Sequence, residues 1–177
     1  MKNLIFIGGP QGAGKTTAAL KLTDKLENSV MLDGDWSAWQ GINWNYSKNI
    51  IDIQLKNICF ILKNFCGINE FKNIIFCWVL ATSETQKIIL QSLKNYKFNF
   101  YNISLICDEK TIYKRLLNRE IETYPNLDYE KCKLQISELF DRSRKIINSY
   151  SYLDTIKIDV SNLSSDKTVQ EILKIIK

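Results

Sequence analysis

Histidine is absent from this sequence of 177 residues. Histidine is the usual general base near neutral pH and a common zinc ligand. Its absence therefore argues against a zinc enzyme and against a Ser-His hydrolase. Any general base in this protein must be a carboxylate or a lysine.

Paired cysteines and long hydrophobic runs are also missing. The five cysteines are widely spaced and include no CxxC pair, which predicts buried free thiols. The longest apolar run, residues 74–81, is too short to cross a bilayer. The first apolar run breaks at once into Gly8 and Gly9, unlike the core of a signal peptide. These features predict a cytoplasmic protein without a membrane partner.

The overall composition is that of an ordinary globular domain. Hydrophobic residues make up 45% of the chain and charged residues 24%. This length and composition predict one compact domain over residues 1–177. The formal net charge of +5 fits a protein that handles phosphorylated anions, but it is too small to indicate nucleic-acid binding by itself.

Apolar runs typical of strands alternate with longer amphipathic segments typical of helices. Strands are predicted at residues 4–7, 29–32, 73–80, 100–107 and 155–160. Helices are predicted at residues 16–26, 47–66 and 83–95, from Asp108, from Asp128 after a break near Pro125, and from Ser164 or Ser165. Such strands, buried on both faces and separated by helices, predict a parallel sheet in a three-layer α/β/α domain.

Two local details follow from the same pattern. Ser83 is predicted to cap the third helix, with Gln86 three residues later completing a capping box. Trp78 lies inside the third predicted strand, so its side chain is expected in the core.

A glycine-rich segment follows the first strand. Residues 9–16, GPQGAGKT, match the P-loop pattern GxxxxGK[ST] at every fixed position, between a predicted strand and a predicted helix. Backbone N–H groups of such a loop, together with the helix N-terminus, bind phosphate. The residues expected to bind ATP are Gly9, Gln11, Gly12, Ala13, Gly14, Lys15, Thr16 and Thr17. Lys15 would neutralise the β- and γ-phosphates, and the Thr16 hydroxyl would bind Mg²⁺.

The class of P-loop protein is narrowed by other motifs. The NKxD and DxxG motifs of a GTPase are absent. The run ISLICDE ends in Asp108 and Glu109, as an ATPase of the motor or AAA type would require. In that interpretation Asp108 organises Mg²⁺ and Glu109 polarises a water molecule.

A second interpretation of this region rests on two arginines. In DEKTIYKRLLNRE, Arg115 and Arg119 lie four residues apart, on one face of a predicted helix. With the P-loop, this layout resembles the small kinases of the nucleoside-monophosphate, shikimate, gluconate and adenylylsulfate kinase group. The simpler alternative is that both arginines lie on a solvated helix face.

The resemblance carries several expectations. It implies a P-loop NTPase fold with five parallel strands in the order 2-3-1-4-5, and a short lid at about residues 120–127. It also implies ATP and Mg²⁺ as cofactors. Arg115 would lie against the adenine, and Arg119 would hold the transferring phosphoryl group.

Two carboxylates follow the second strand. MLDGDWSAW places Asp33 at the end of the strand and Asp35 just beyond it, at the edge where open parallel sheets bind ligands. The stretch resembles the DGD or DxD segment of adenylylsulfate and shikimate kinases. This implies that Asp33, or failing that Asp35, orients the acceptor hydroxyl and takes its proton. The alternative is an Asx-turn without a catalytic role.

The acceptor region is aromatic rather than cationic. The stretch WSAWQGINWNY contains Trp36, Trp39, Trp44 and Tyr46, and no arginine lies between Met31 and Phe71. Trp36 and Trp39 are expected to bind a ring-bearing or partly apolar acceptor, unless they pack against the core. An acceptor phosphate is therefore not expected here, unless Lys48 or Lys56 takes the place of the missing arginine.

The sequence therefore predicts an ATP-dependent phosphotransferase that moves the γ-phosphate of Mg-ATP to a hydroxyl of a small molecule. The acceptor would be a metabolite, a nucleoside or an antibiotic-like compound. Two alternatives stay open. A nucleic-acid end kinase would use the tryptophans as stacking platforms, and a nucleotide-controlled ATPase or binding module would use Asp108 and Glu109.

Overall fold

Strands and helices alternate along the chain, as the hydrophobic pattern predicts. The structure is a computed structural model that describes residues 1–38 and 47–176. The strands are β1 Lys2–Gly8, β2 Ser29–Asp33, β3 Asn73–Cys77, β4 Phe98–Ile106 and β5 Ile156–Asp159. The helices are α1 Lys15–Lys25, α2 Lys48–Gly67, α3 Ser83–Ser92, α4 Glu109–Thr123, α5 Tyr129–Ile146 and α6 Ser165–Ile175. Two 3₁₀ helices, Gly34–Ala38 and Ile147–Tyr152, were not predicted from the sequence.

The five described strands form one parallel sheet in the order β2-β3-β1-β4-β5. This order confirms the prediction. Because β1 pairs with β3 on one side and β4 on the other, the P-loop that follows β1 lies near the middle of the carboxyl edge. The register places Asp33, the last residue of β2, beside Cys77, the last residue of β3.

Both faces of the sheet are covered by helices, which explains why β1 and β3 carry uninterrupted apolar runs at residues 4–7 and 74–77. In β1, Leu4 and Phe6 belong to a core formed with α2 and α3. Ile5 and Ile7 point to the opposite face and belong to a core formed with α1, α4, α5 and α6. This alternation is the two-residue period of a strand, and it confirms the three-layer architecture.

The chain leaves β3 earlier than predicted. The strand ends at Cys77, so the prediction that Trp78 lies within it is wrong. The Trp78 side chain still packs against the core on the α2 and α3 face, as expected, but it is only half-buried and lies beyond the end of the strand, where the chain turns through Leu80 at φ 47°. A positive φ is incompatible with continuing a strand.

The capping box predicted for α3 is also wrong. Thr82, not Ser83, caps the helix by accepting a hydrogen bond from the Thr85 amide. The Gln86 side chain is buried and donates to the Leu80 carbonyl, while its oxygen accepts from Asn102. Because the Gln86 side chain makes these tertiary hydrogen bonds, it is not available to complete a capping box.

The remaining helix signals are confirmed. Asp108, Asp128 and Ser164 each accept a hydrogen bond from the backbone amide three residues ahead and so cap α4, α5 and α6. Helix α4 ends at Thr123, close to the predicted break. The predicted lid, residues 120–127, covers the end of α4 and most of its connection to α5.

The cysteine and membrane predictions agree with the described structure. All five cysteines are free thiols, and all except the half-buried Cys59 are buried. Within residues 1–38 and 47–176, no helix is long and apolar enough to cross a membrane.

We expect the core on the α1 face to dominate stability. Leu22→Ala removes a side chain that is 0% exposed and should lower the free energy of unfolding by about 2–5 kcal/mol. The matched control Leu134→Ala, at 73% exposure, should change it by no more than about 0.5 kcal/mol. Urea denaturation measures both. Equal losses in the two variants would contradict this assignment of the core.

Candidate active site

The P-loop connects β1 to α1 in a conformation that requires glycine. Gly9 has φ 150°, and a Cβ there would lie 2.7 Å from the Leu105 carbonyl oxygen. Gly14 has φ 92° and caps α1, and a Cβ there would meet no other atom within 4 Å. The loop therefore presents open backbone at a helix N-terminus, which is the arrangement that binds phosphate.

Hydroxyl groups from distant elements support this loop. The Val79 carbonyl accepts hydrogen bonds from the Gly9 amide at 3.3 Å and from the buried Tyr150 hydroxyl at 2.5 Å. The buried Ser143 hydroxyl donates to the Gln11 carbonyl at 3.1 Å. These contacts hold the start of the loop in place, and spacing along the sequence gives no signal for them.

Lys15 lies in the concavity of the loop. Its Nζ donates to the Pro10 carbonyl at 3.0 Å. Burial lowers the pKa of Lys15, and the nearby Asp35 and Asp33 carboxylates partly oppose that effect. A partly desolvated cation beside the backbone amides of such a loop attracts a phosphate group strongly.

A chain of hydrogen bonds joins the P-loop to the ends of β2 and β3. The Thr16 hydroxyl donates to Asp33 Oδ2 at 2.6 Å. The other oxygen of the same carboxylate, Asp33 Oδ1, accepts from the Asp35 amide at 3.0 Å. The Asp35 Oδ1 atom accepts from Trp78 Nε1, also at 3.0 Å. Asp33 is buried in this network, while Asp35 is exposed to the cleft.

The two carboxylates differ in their electrostatic surroundings. The walls of the cleft desolvate Asp35 and so raise its pKa, and the negative charge of Asp33 raises it further. Lys15, the Trp78 hydrogen bond and Arg119 act in the opposite direction. A carboxylate with a raised pKa is a stronger base than an ordinary one.

The two predicted arginines have different surroundings. The Arg115 guanidinium donates to the Val160 carbonyl at 2.7 Å, and to the Leu163 and Ala13 carbonyls at 3.3 Å. It thereby ties the P-loop to the segment that follows β5. The solvated-face interpretation therefore does not fit Arg115. Arg119, one helical turn further along, lines the cleft near Lys15 and Asp35.

One cleft of about 680 Å³ brings most of the predicted site together. It is lined by P-loop residues from Gln11 to Thr17, by Asp33 and Asp35, and by Arg115 and Arg119. Trp36 is 52% exposed in the 3₁₀ helix and does not line this cleft. Trp39 lies outside the described residues, as do Trp44 and Tyr46.

Sequence reasoning missed several residues of the cleft and its rim. Asn118 and Glu122 line the cleft, three residues after Arg115 and Arg119 respectively, so helical spacing could have found them. Trp78 lies just outside the cleft lining and donates a hydrogen bond to Asp35, and no local sequence pattern marks it for this position. Gln11 Oε1 is buried and has no hydrogen-bond partner among the described residues.

The residues beside the P-loop fit a magnesium ion. The Thr16 hydroxyl and the Asp33 carboxylate are hard oxygen donors, and they already lie 2.6 Å apart. In residues 1–38 and 47–176, no cluster of three or more His, Cys, Asp or Glu side chains could hold a metal ion. Magnesium commonly binds through one or two protein oxygens, with phosphate and water as its other ligands.

Asp108 and Glu109 do not line the cleft. Asp108 accepts from the Thr111 amide at 2.7 Å and from the Thr111 hydroxyl at 3.0 Å. These hydrogen bonds lower the pKa of Asp108, as expected for a helix cap. Its carboxylate is thus engaged at the start of α4 rather than beside Thr16.

Comparison with models of protein families identifies the family of the chain. A profile described as AAA domain matches residues 5–134, which include the P-loop, both carboxylates and both arginines. The chain belongs to the AAA domain family. No curated protein matches the sequence of this AAA domain.

Solved structures share its fold. A gluconokinase from Sinorhizobium meliloti 1021 has a TM-score of 0.66 at 12% identity, over 98% of this chain and 90% of that one. Shikimate kinase from Acinetobacter baumannii in complex with shikimate has a TM-score of 0.61 at 19% identity, over 99% and 93%. The tunicamycin resistance protein of Deinococcus radiodurans has a TM-score of 0.58 at 15% identity, over 99% and 96%. This AAA domain therefore has the fold of the P-loop small-molecule kinase-like group, which confirms the resemblance.

The raised pKa of Asp35 predicts a pH-dependent cost to stability. The folded state holds the carboxyl proton more tightly than the unfolded chain, so stability falls as the pH rises from the ordinary carboxyl value of 3.8 through the raised pKa. Asp35→Asn removes the ionisable carboxyl group and with it this fall in stability. We expect the variant to melt at a higher temperature than the wild type at pH 7, without nucleotide or divalent metal.

The advantage should shrink towards zero below pH 3.8. Thermal scans at several pH values, with chelator present, measure it. The exposed Asp24→Asn on α1 is the matched control and should show little change at any pH. A lower melting temperature for Asp35→Asn at pH 7 would count against the proposed desolvation of Asp35.

Proposed function

We infer that this protein is an ATP-dependent phosphotransferase that moves the γ-phosphate of Mg-ATP to a hydroxyl of a small molecule. The observation that carries this proposal is the meeting of Lys15, Arg119 and Asp35 in the cleft that the P-loop lines. Phosphoryl transfer requires positioning and charge stabilisation more than covalent chemistry, and these three groups supply both. The kinase fold supports the same reaction class.

The nucleotide half of the site would be built from the P-loop and α4. Backbone amides of the loop and the Lys15 ammonium would bind the β- and γ-phosphates. Arg115 would lie against the adenine, because its guanidinium is fixed in one plane by the Val160 and Leu163 carbonyls. Arg119 would stabilise the negative charge of the transferring group.

Thr16 and Asp33 would hold the Mg²⁺ ion. When bound, the ion would neutralise charge on the β- and γ-phosphate oxygens. Both oxygens of Asp33 already accept hydrogen bonds, from the Thr16 hydroxyl and from the Asp35 amide. Asp33 is therefore better suited to hold the ion than to act as the base. The sequence favoured Asp33 over Asp35 as the base. We reverse that order and propose that Asp35 binds the hydroxyl of the acceptor molecule.

Asp35 would orient the acceptor and receive its proton. A bond forms between the acceptor oxygen and the γ-phosphorus, and the bond from that phosphorus to the β,γ-bridging oxygen breaks. The electron pair leaves with ADP, and the hydroxyl proton passes to the Asp35 carboxylate. The raised pKa of Asp35 suits this role.

A nucleotide-controlled ATPase is the second candidate, because the matching family is described as AAA domain. In such a protein Glu109 would polarise a water molecule that attacks the γ-phosphate. The position of Asp108 as a helix cap argues against this role for the pair.

The two aspartates should give separable kinetic defects. Asp35→Asn should lower kcat by about 10²–10⁴-fold while ATP binding is retained, since only the proton acceptor is lost. Asp33→Asn should raise the Mg²⁺ concentration for half-maximal activity by about 10–100-fold. The measurement is acceptor-dependent ADP release over a panel of nucleosides, sugars and aminoglycosides, with nucleotide binding followed separately.

Lys15→Met is the control that should abolish transfer. Full activity in both aspartate variants would rule out a catalytic role for the pair. ADP release at one slow rate with every acceptor would overturn the kinase proposal and favour the ATPase.

Glu109→Gln separates the two candidate functions directly. In a kinase, Glu109 is a residue in the first turn of α4, so the variant should keep transfer within about 3-fold of the wild type, the size of a weak helix-end charge effect. In the ATPase, the same change would trap bound ATP. Rapid filtration of labelled ATP after a chase distinguishes a trapped complex from normal turnover.

A further inference from the structure

Trp78 lies beside Asp35, the carboxylate proposed to bind the acceptor hydroxyl, and its sequence context did not indicate this position. Its indole lies so close to the 3₁₀ helix that a Cβ at Gly34 would fall 2.4 Å from Trp78 Cγ. Glycine at position 34 is therefore what allows the indole to lie against this helix. Trp78 is half-buried: it packs partly against the core on the α2 and α3 face, and it lies just outside the lining of the cleft, one hydrogen bond from Asp35.

The hydrogen bond from Trp78 fixes the direction of the Asp35 carboxylate. Trp78 Nε1 donates to Asp35 Oδ1 at 3.0 Å, and the Asp35 backbone is held separately by Asp33. A carboxylate can accept about four hydrogen bonds, so the second oxygen of Asp35 remains available to an acceptor hydroxyl. An acceptor bound to that oxygen lies next to an aromatic surface.

Charge on the acceptor side of the cleft is negative. Lys15 and Arg119 serve the phosphates, and the Arg115 guanidinium is bound to three carbonyls. The acceptor side has Asp35, with Asp33 behind it, and Glu122 also lines the cleft. Among the described residues that line the cleft, Lys15, Arg115 and Arg119 are the only lysines and arginines. A carboxylate or phosphate on the acceptor would therefore face like charge without a cation to pair with.

We propose that the acceptor is a ring compound without an anionic group, which stacks on Trp78 while its hydroxyl binds Asp35. This inference rests on the proposed phosphotransferase function and adds its substrate class. An apolar ring face suits the indole surface. An amine on the ring is compatible with both the indole and the carboxylates.

Matched pairs of acceptors test the charge rule. Phenyl β-D-glucuronide methyl ester is compared with phenyl β-D-glucuronide, methyl shikimate with shikimate, and orotidine methyl ester with orotidine, so that both members of a pair keep the same hydroxyl groups. The members of each pair share a ring and differ in one anionic group. We expect at least one neutral member to stimulate ADP release, with kcat/KM about 10-fold or more above that of its anionic partner.

Two substitutions at Trp78 test the stacking role. Trp78→Leu should raise KM for the neutral acceptor by about 5–100-fold, the usual effect of losing an aromatic stacking contact, with KM for ATP unchanged. Trp78→Phe keeps a ring but loses the N–H donor, so it should lower kcat with a smaller change in the acceptor KM. Tyr152→Leu is the control for removing an aromatic ring, since that side chain is 89% exposed.

The outcomes separate the inference from the function on which it rests. Transfer to the anionic members only would overturn the inference and leave the phosphotransferase intact. An unchanged acceptor KM in both folded Trp78 variants would also overturn it. If no acceptor increases ADP release above the rate with ATP alone, the phosphotransferase proposal fails, and the substrate class fails with it. Melting temperatures of the variants show whether each is folded.

Discussion

Parallel pairing of β1 with both β3 and β4 is the constraint on which the site depends. Parallel strands end at the same edge of a sheet, so the P-loop after β1 lies between the chain segments that leave β3 and β4. The pairing of β2 with β3 then brings Asp33 and Asp35 to that edge. Side chains from four distant parts of the sequence line the cleft because these strands point the same way.

The fold could be read from the sequence because its signals are local. Strand periodicity, the P-loop and the caps at Asp108, Asp128 and Ser164 each depend on a few neighbouring residues. A prediction of local structure was wrong where the side chain makes a tertiary hydrogen bond instead of the local one. Gln86 bonds to Leu80 and Asn102 instead of completing a capping box.

The site was less predictable than the fold, since the roles of its residues depend on pairing in space. The sequence interpretation identified both Asp33 and Asp35 as candidate bases and put Asp33 first, the reverse of the order that we propose. Their difference lies in the hydrogen bond from Thr16 to Asp33 and in the desolvation of Asp35. Trp78 looked like a core residue because no local pattern announces that β3 stops one residue before it.

The two halves of the cleft come from different elements, and this division bears on how such a protein can diversify. Nucleotide contacts would come from β1, α1 and α4, while the acceptor would meet the ends of β2 and β3. Changes at Gly34 or Trp78 would alter the surface beside Asp35 without touching the loop residues from Gly9 to Thr16. Under the proposed function, selection could therefore change the choice of substrate in a lineage while the phosphate donor stays the same.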